Sequence, residues 1–117
     1  MDELRMESGS ASIVVDARNG GRLSSLQVEN HQLLVVEAAL GGLQWGSYPM
    51  VPWAGRVKDG IFEFGGIAHQ LPRNLPPHSA HGVGFISPWT VVDDATTERG
   101  LGDAAEGSRE LRVVGLV

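Results

Sequence analysis

Apolar and polar positions along the chain fall into short runs broken by glycine and proline, with no repeat and no stretch that keeps a helical period. The acidic, polar opening "MDELRMESGS" reads as a flexible N-terminus over 1–10. The β-branched run "ASIVVDA" then predicts a strand, closed by the turn-rich "RNGG". "RLSSLQVEN" and "QLLVVEAAL", separated by Asn30 and His31, extend it into a meander. The second of these also suits a short helix by composition, but its length and the turn signals on both sides favour a strand. "GGLQWGSYPMVPWAGRV" is different in kind: Pro49 and Pro52 fix φ and lack an N–H, so the segment reads as an irregular loop or edge rich in aromatics. "GIFEF" and "IAHQL" are strand-like and joined by Gly65-Gly66, a pair that supplies the positive φ of a tight hairpin turn. Ile61 and Glu63 should face one way, Phe62 and Phe64 the other.

A long loop, "PRNLPPHSAHGVGFISP", follows the hairpin, and long ordered loops in compact domains are often functional. "WTVVDD" returns to strand, "DDATTERGLGDAAEGSRE" reads as an exposed loop, and "LRVVGLV" reads as a last strand. The predicted architecture is all-β, a β-sandwich. An apolar strand at a sheet edge leaves unpaired backbone groups, so the final strand either tucks into the sheet or lacks partners that this chain does not encode.

With 117 residues, 42% of them apolar and 20% charged, the chain suits a single domain, 1–117, able to bury one core. The net charge of −5 disfavours nucleic acid and anionic membranes, both of which call for a basic face. Cysteine is absent, which removes disulfides, thiolate ligands and a cysteine nucleophile together. The opening has no apolar segment of a secretory signal, and no apolar run approaches the ~20 residues of a membrane span, so a cytoplasmic protein is expected.

The chemistry concentrates in "PPHSAHG", where His78 and His81 stand three residues apart. Two histidines are half of a zinc site, and neither His31, His69 nor any carboxylate completes it at a defined spacing; no metal is expected. The helical His-Glu-x-x-His arrangement is excluded by Pro76 and Pro77. No Gly-x-Ser-x-Gly turn and no phosphate-binding loop is present. Carbohydrate fits the residue types better: Arg56, Asn74, His78 and His81 offer planar donors and acceptors, and Trp45, Tyr48 and Trp53 are candidate platforms for a pyranose face. Each also has a plain structural reading, as a loop support or a core ring.

The ordered set "YPMVPWAGRVKDGIFEFGGIAHQLPRN", "HSAHG" and a later tryptophan resembles the aldose 1-epimerase (galactose mutarotase) family. The matching residues are Pro52, Arg56, Gly60, Phe62, Leu71, Asn74, His81, Gly82 and Trp89. The resemblance implies a β-supersandwich fold, no cofactor, an aldose as the small-molecule partner, and interconversion of its α and β anomers. It also implies that Arg56 and His81 contact the sugar, with Asn74 and His78 as further candidate contacts and His78 also read as a loop support. The family's asparagine before the arginine is Gly55 here, which removes one side-chain amide. Mutarotation needs a base for the C1 hydroxyl proton and an acid for the ring oxygen. The family's acid histidine and base glutamate lie well downstream of the His-Gly pair. No histidine follows His81 in this chain, and Glu98, Glu106 and Glu110 match no family position, so its catalytic residues stay unassigned. The resemblance therefore implies the N-terminal part of a mutarotase-like domain, shortened, holding sugar contacts without the acid/base pair. The alternatives are a non-catalytic carbohydrate-binding or interaction domain and an inactive truncation product. Self-association through exposed strands is expected in each case.

Overall fold

The computed structural model describes residues 3–97 and 108–113. Strands β1 (Glu3–Ser8), β2 (Ala11–Asp16), β3 (Arg22–Val28) and β4 (His31–Gln32) form an antiparallel sheet in that order. Strand β1 lies within the segment read as a flexible N-terminus and pairs with β2 along its whole length, Leu4 opposite Val15. The alternation explains it: Leu4 and Met6 turn inward while Glu3, Arg5 and Glu7 stay in water. Leu4, Val15 and Ala17 are buried.

Three two-stranded antiparallel sheets follow. Strand β5 (Arg56–Val57) pairs with β8 (Ser79–Ala80), and β6 (Ile61–Phe64) pairs with β7 (Ile67–Gln70). Strand β9 (Trp89–Thr97) pairs with β10 (Ser108–Val113). Short 3₁₀ turns occupy Ala38–Leu40, Lys58–Gly60 and Gly84–Ile86, and no α-helix occurs among the described residues. The fold is all-β, as the sequence pattern predicts. No helix among the described residues is long and apolar enough to cross a membrane.

The β6–β7 hairpin forms as read, with Gly65 at φ 61° and Gly66 at φ 76°. "QLLVVEAAL" does not form the strand its composition favours. Only Gln32 is in a strand, and the segment ends in the 3₁₀ turn at Ala38–Leu40. Leu33, Val35, Val36 and Leu40 are all exposed, so among the described residues no layer covers the run and no burial rewards the extended form. The Gln32 side chain also intervenes, its Oε1 accepting from the Leu26 and Leu34 N–H groups. The stretch read as one acidic loop is in part strand, β9 running to Thr97 and β10 starting at Ser108. Residues 98–107, with Glu98 and Glu106, and the last residues 114–117 lie outside the described residues.

Candidate functional site

Arg56 and His81 meet through the backbone. Arg56 stands opposite Ala80 in the β5–β8 pair, and the His81 N–H continues the ladder to the Gly55 carbonyl at 2.9 Å. The Gly55 N–H then donates to His81 Nδ1 at 3.1 Å. In the neutral ring this bond keeps the proton on Nε2, so His81 offers an N–H donor at its other nitrogen. Its backbone is left-handed, φ 62°, a region that only a few residue types other than glycine enter readily. Arg56 is exposed, and its guanidinium makes no hydrogen bond or ion pair among the described residues.

Two neighbours hold His81 in that conformation. The Asn74 amide donates to the carbonyls of Ala80 (2.8 Å) and Gly82 (3.2 Å) and accepts from the Ala80 N–H (2.6 Å). Both of its N–H donors are thereby committed to main chain, one on each side of His81. Gly82, at φ 74°, lies so close to Val51 that a Cβ there would stand 1.8 Å from the Val51 carbonyl oxygen. That oxygen accepts from the N–H groups of Val83 and Gly84, docking the Pro-rich loop on the His-Gly turn. The glycine of the motif thus has a steric reason.

His78 sits apart from this pair. Leu75 and His78 exchange backbone hydrogen bonds of 3.0 and 2.7 Å around the cis Pro76-Pro77 turn. Its Nδ1 accepts from the Asp59 N–H at 3.0 Å, which ties the loop to the base of the β6–β7 hairpin. Among the described residues no group of three or more histidines and carboxylates is placed to hold a metal ion.

Of the three candidate aromatic platforms, Tyr48 has its ring centroid 6.3 Å from that of His81, and it stacks on Phe85 at 5.0 Å. Trp45 is buried, its face covered by the Arg22 guanidinium at 4.4 Å. Trp53 is half-buried, and its indole N–H has no hydrogen-bond partner among the described residues. An open cleft of about 250 Å³ is lined by residues 40–44 together with Asn74, Phe85 and Ile86; neither Arg56 nor His81 lines it.

The residue that sequence reasoning missed is Arg22. It is 1% exposed, and its guanidinium donates to four carbonyls: Asn19 (2.7 Å), Gly42 (3.0 Å), Trp45 (2.8 Å) and Phe85 (2.9 Å). Burial pulls its pKa below the ordinary arginine value, partly offset by Tyr48 and Asp16. Nothing in "GGRLSS" announces this, because the four acceptors are main-chain atoms that every residue carries.

Residues 2–108 match a family model described as aldose 1-epimerase. Among solved structures, an aldose 1-epimerase candidate from Escherichia coli K12 is similar at 26% identity and a TM-score of 0.66, covering 78% of this chain and 32% of that one. A galactose mutarotase-like protein from Clostridium acetobutylicum is similar at 21% identity and a TM-score of 0.60, covering 76% of this chain and 30% of that one. A galactose 1-epimerase from Lactobacillus acidophilus NCFM is similar at 20% identity and a TM-score of 0.56, covering 80% of this chain and 31% of that one. The chain therefore spans about a third of the length of these structures. No curated protein matches it.

Proposed function

The chain belongs to the aldose 1-epimerase family, and from that premise we propose that it carries the sugar-contacting part of a mutarotase site, with Arg56 and His81 as the contacts. The observation that carries this reading is the β5–β8 ladder, which runs the backbone segments of Arg56 and His81 side by side, with no hydrogen bond or ion pair to the Arg56 guanidinium among the described residues and with His81 Nδ1 committed to Gly55. Both groups then present N–H donors, which suit sugar hydroxyl and ring oxygens. Tyr48, close to His81, supplies an aromatic surface for the apolar side of the ring. Asn74 and His78 act as supports in this reading, because their polar atoms already bond the loop that holds His81.

The reaction of the whole protein is interconversion of aldose anomers, in which proton transfers at the C1 hydroxyl and the ring oxygen open and reclose the ring. General acid or base catalysis contributes about 10²–10⁴-fold each. No histidine follows His81 in this sequence, and on this reading neither the family's acid histidine nor its base glutamate is among these residues, so that this chain by itself binds a sugar and accelerates mutarotation little. A cytoplasmic setting belongs to the same proposal. Polarimetry of freshly dissolved α-D-galactose tests it, beside a titration that follows the His81 and Tyr48 NMR signals. Saturable shifts lost in His81→Ala, with little change in the mutarotation rate, are expected. Shifts that His81→Ala leaves intact would overturn the assignment. A rate that rises with protein and falls in His81→Ala would show that the chain supplies its own acid and base.

A second reading, a non-catalytic carbohydrate-binding or interaction domain, is favoured by one observation. Phe64 and Ile67 pair across the β6–β7 hairpin while 76% and 63% exposed, an apolar face suited to self-association or to a protein partner.

A further inference from the structure

Arg22 is buried at the meeting point of three segments that the chain brings together from far apart. Its hydrogen bonds reach the turn before β3, the loop at Gly42 and Trp45, and the 3₁₀ turn at Phe85. All four acceptors are neutral carbonyls, so the guanidinium is used as a rigid fork rather than as one half of an ion pair. Its carbon lies 4.4 Å from the centre of the Trp45 ring and 5.1 Å from that of Tyr48. Tyr48 in turn stacks on Phe85 and stands 6.3 Å from the His81 ring. The Tyr48 hydroxyl donates to the Leu43 carbonyl at 3.1 Å, inside the same loop that Arg22 holds. Arg22 thus lies against Tyr48, Tyr48 lies beside His81, and Arg22 itself is buried, with 1% of its surface exposed.

We propose that Arg22 is a positioning residue for the Arg56–His81 site, fixing the Tyr48 ring and through it the orientation and proton placement of the His81 imidazole. Its bearing on sugar affinity rests on the sugar-binding reading above; its effect on His81 does not. Lysine keeps the charge at this position but loses the fork, and so reaches fewer of the four carbonyls.

The test uses the ¹⁵N-labelled chain and long-range ¹⁵N–¹H correlations, which report which imidazole nitrogen carries the proton. At mildly alkaline pH the wild-type His81 should show Nε2–H with Nδ1 as acceptor. Arg22→Lys and Tyr48→Leu should both move the His81 signals toward a mixture of tautomers and weaken galactose binding several-fold. Leu4→Ala is the control for stability lost elsewhere, since Leu4 is buried on β1 opposite Val15. It should leave the His81 signals in place. Folded Arg22→Lys with wild-type His81 signals, or signals displaced equally by Leu4→Ala, overturns the proposal. If Arg22→Lys fails to fold, Tyr48→Leu decides, because it removes the intervening ring and keeps the Arg22 fork; unmoved His81 signals then overturn the proposal. If wild type binds no sugar while His81 responds to both variants, the positioning role stands and the sugar-binding reading falls.

Discussion

Two phenylalanines show how differently the chain treats similar material. Phe85 is 2% exposed, stacked on Tyr48, with its carbonyl held by Arg22. Phe64 is 76% exposed on a hairpin whose eight strand residues are all exposed. Both regions are rich in glycine and apolar side chains. They differ in polar side chains that bind main chain. Arg22 and Asn74 together take up carbonyls of residues 19, 42, 45, 80, 82 and 85, and around them irregular loops become a fixed structure. The β6–β7 hairpin is tied at its base by Gln70, whose amide donates to the Asp59, Gly60 and Leu71 carbonyls; above that, among the described residues, it is held by its own ladder and by the Phe62–His69 ring stack. In this molecule, order in the loops follows the placement of side-chain donors more than it follows apolar content.

The sharpest way to break that contrast is to add one methyl group on each side of it. Gly82 and Gly65 have similar backbones, φ 74° and 61°, but the Cβ of an alanine at Gly82 would meet the Val51 carbonyl oxygen at 1.8 Å, whereas nothing lies within 4 Å at Gly65. Gly65→Ala should therefore cost only the left-handed penalty, about 1–2 kcal/mol. Gly82→Ala adds a clash with main chain and should fall in the rare class above about 4 kcal/mol. Urea denaturation followed by tryptophan fluorescence measures both; similar losses would mean that the His-Gly turn is no more constrained than the hairpin tip.

Asn74→Ala tests the clamp itself. It removes three hydrogen bonds and strands the N–H and carbonyl of Ala80, a residue with no exposed surface. A buried group left unpaired costs about 1–3 kcal/mol, so a loss of about 2–4 kcal/mol is expected. The same variant should broaden the His81 NMR signals while leaving those of β1 and β2 sharp. Uniform broadening would assign Asn74 to global stability and not to the turn.

The sequence made the hairpin and the His-Gly turn legible because each depends on residues whose local requirement is visible: paired glycines for a tight turn, a double proline that forbids helix. The candidate pair Arg56 and His81 comes from the resemblance alone; the ladder pairs the backbone of residues 55–57 with that of 79–81, and the role of the two side chains is the proposal made above. Arg22 was not legible, since its partners are carbonyls brought together only by the fold. The misreading of "QLLVVEAAL" has the converse cause. Its β-branched residues satisfy strand propensity, but propensity needs a covering layer, and the described residues supply none there.

A smaller effect is expected at Gly55, the position where the family carries asparagine. With φ 84° and nothing within 4 Å of a built Cβ, the site is open and left-handed. Asparagine tolerates that region best among residues with side chains, so Gly55→Asn should cost under about 1 kcal/mol. On the sugar-binding reading it should also tighten galactose binding, read from the same NMR titration. A loss of binding would show that the empty space beside His81 is itself used.

The smallest effect on stability, and the most informative about the hairpin, is expected from Phe64→Lys combined with Ile67→Lys. The two residues are directly paired on one face and both are mostly exposed, so replacing them removes little burial. Surface changes away from special features usually fall within about 0.5 kcal/mol. Two lysines on a free edge also oppose strand-to-strand association. Sedimentation velocity over a range of concentrations should show the wild-type chain associating and the double variant remaining monomeric, with urea midpoints that coincide at low concentration. A destabilisation well above 1 kcal/mol at low concentration would mean that this face is packed within the monomer, and the contrast with Phe85 would then be one of degree.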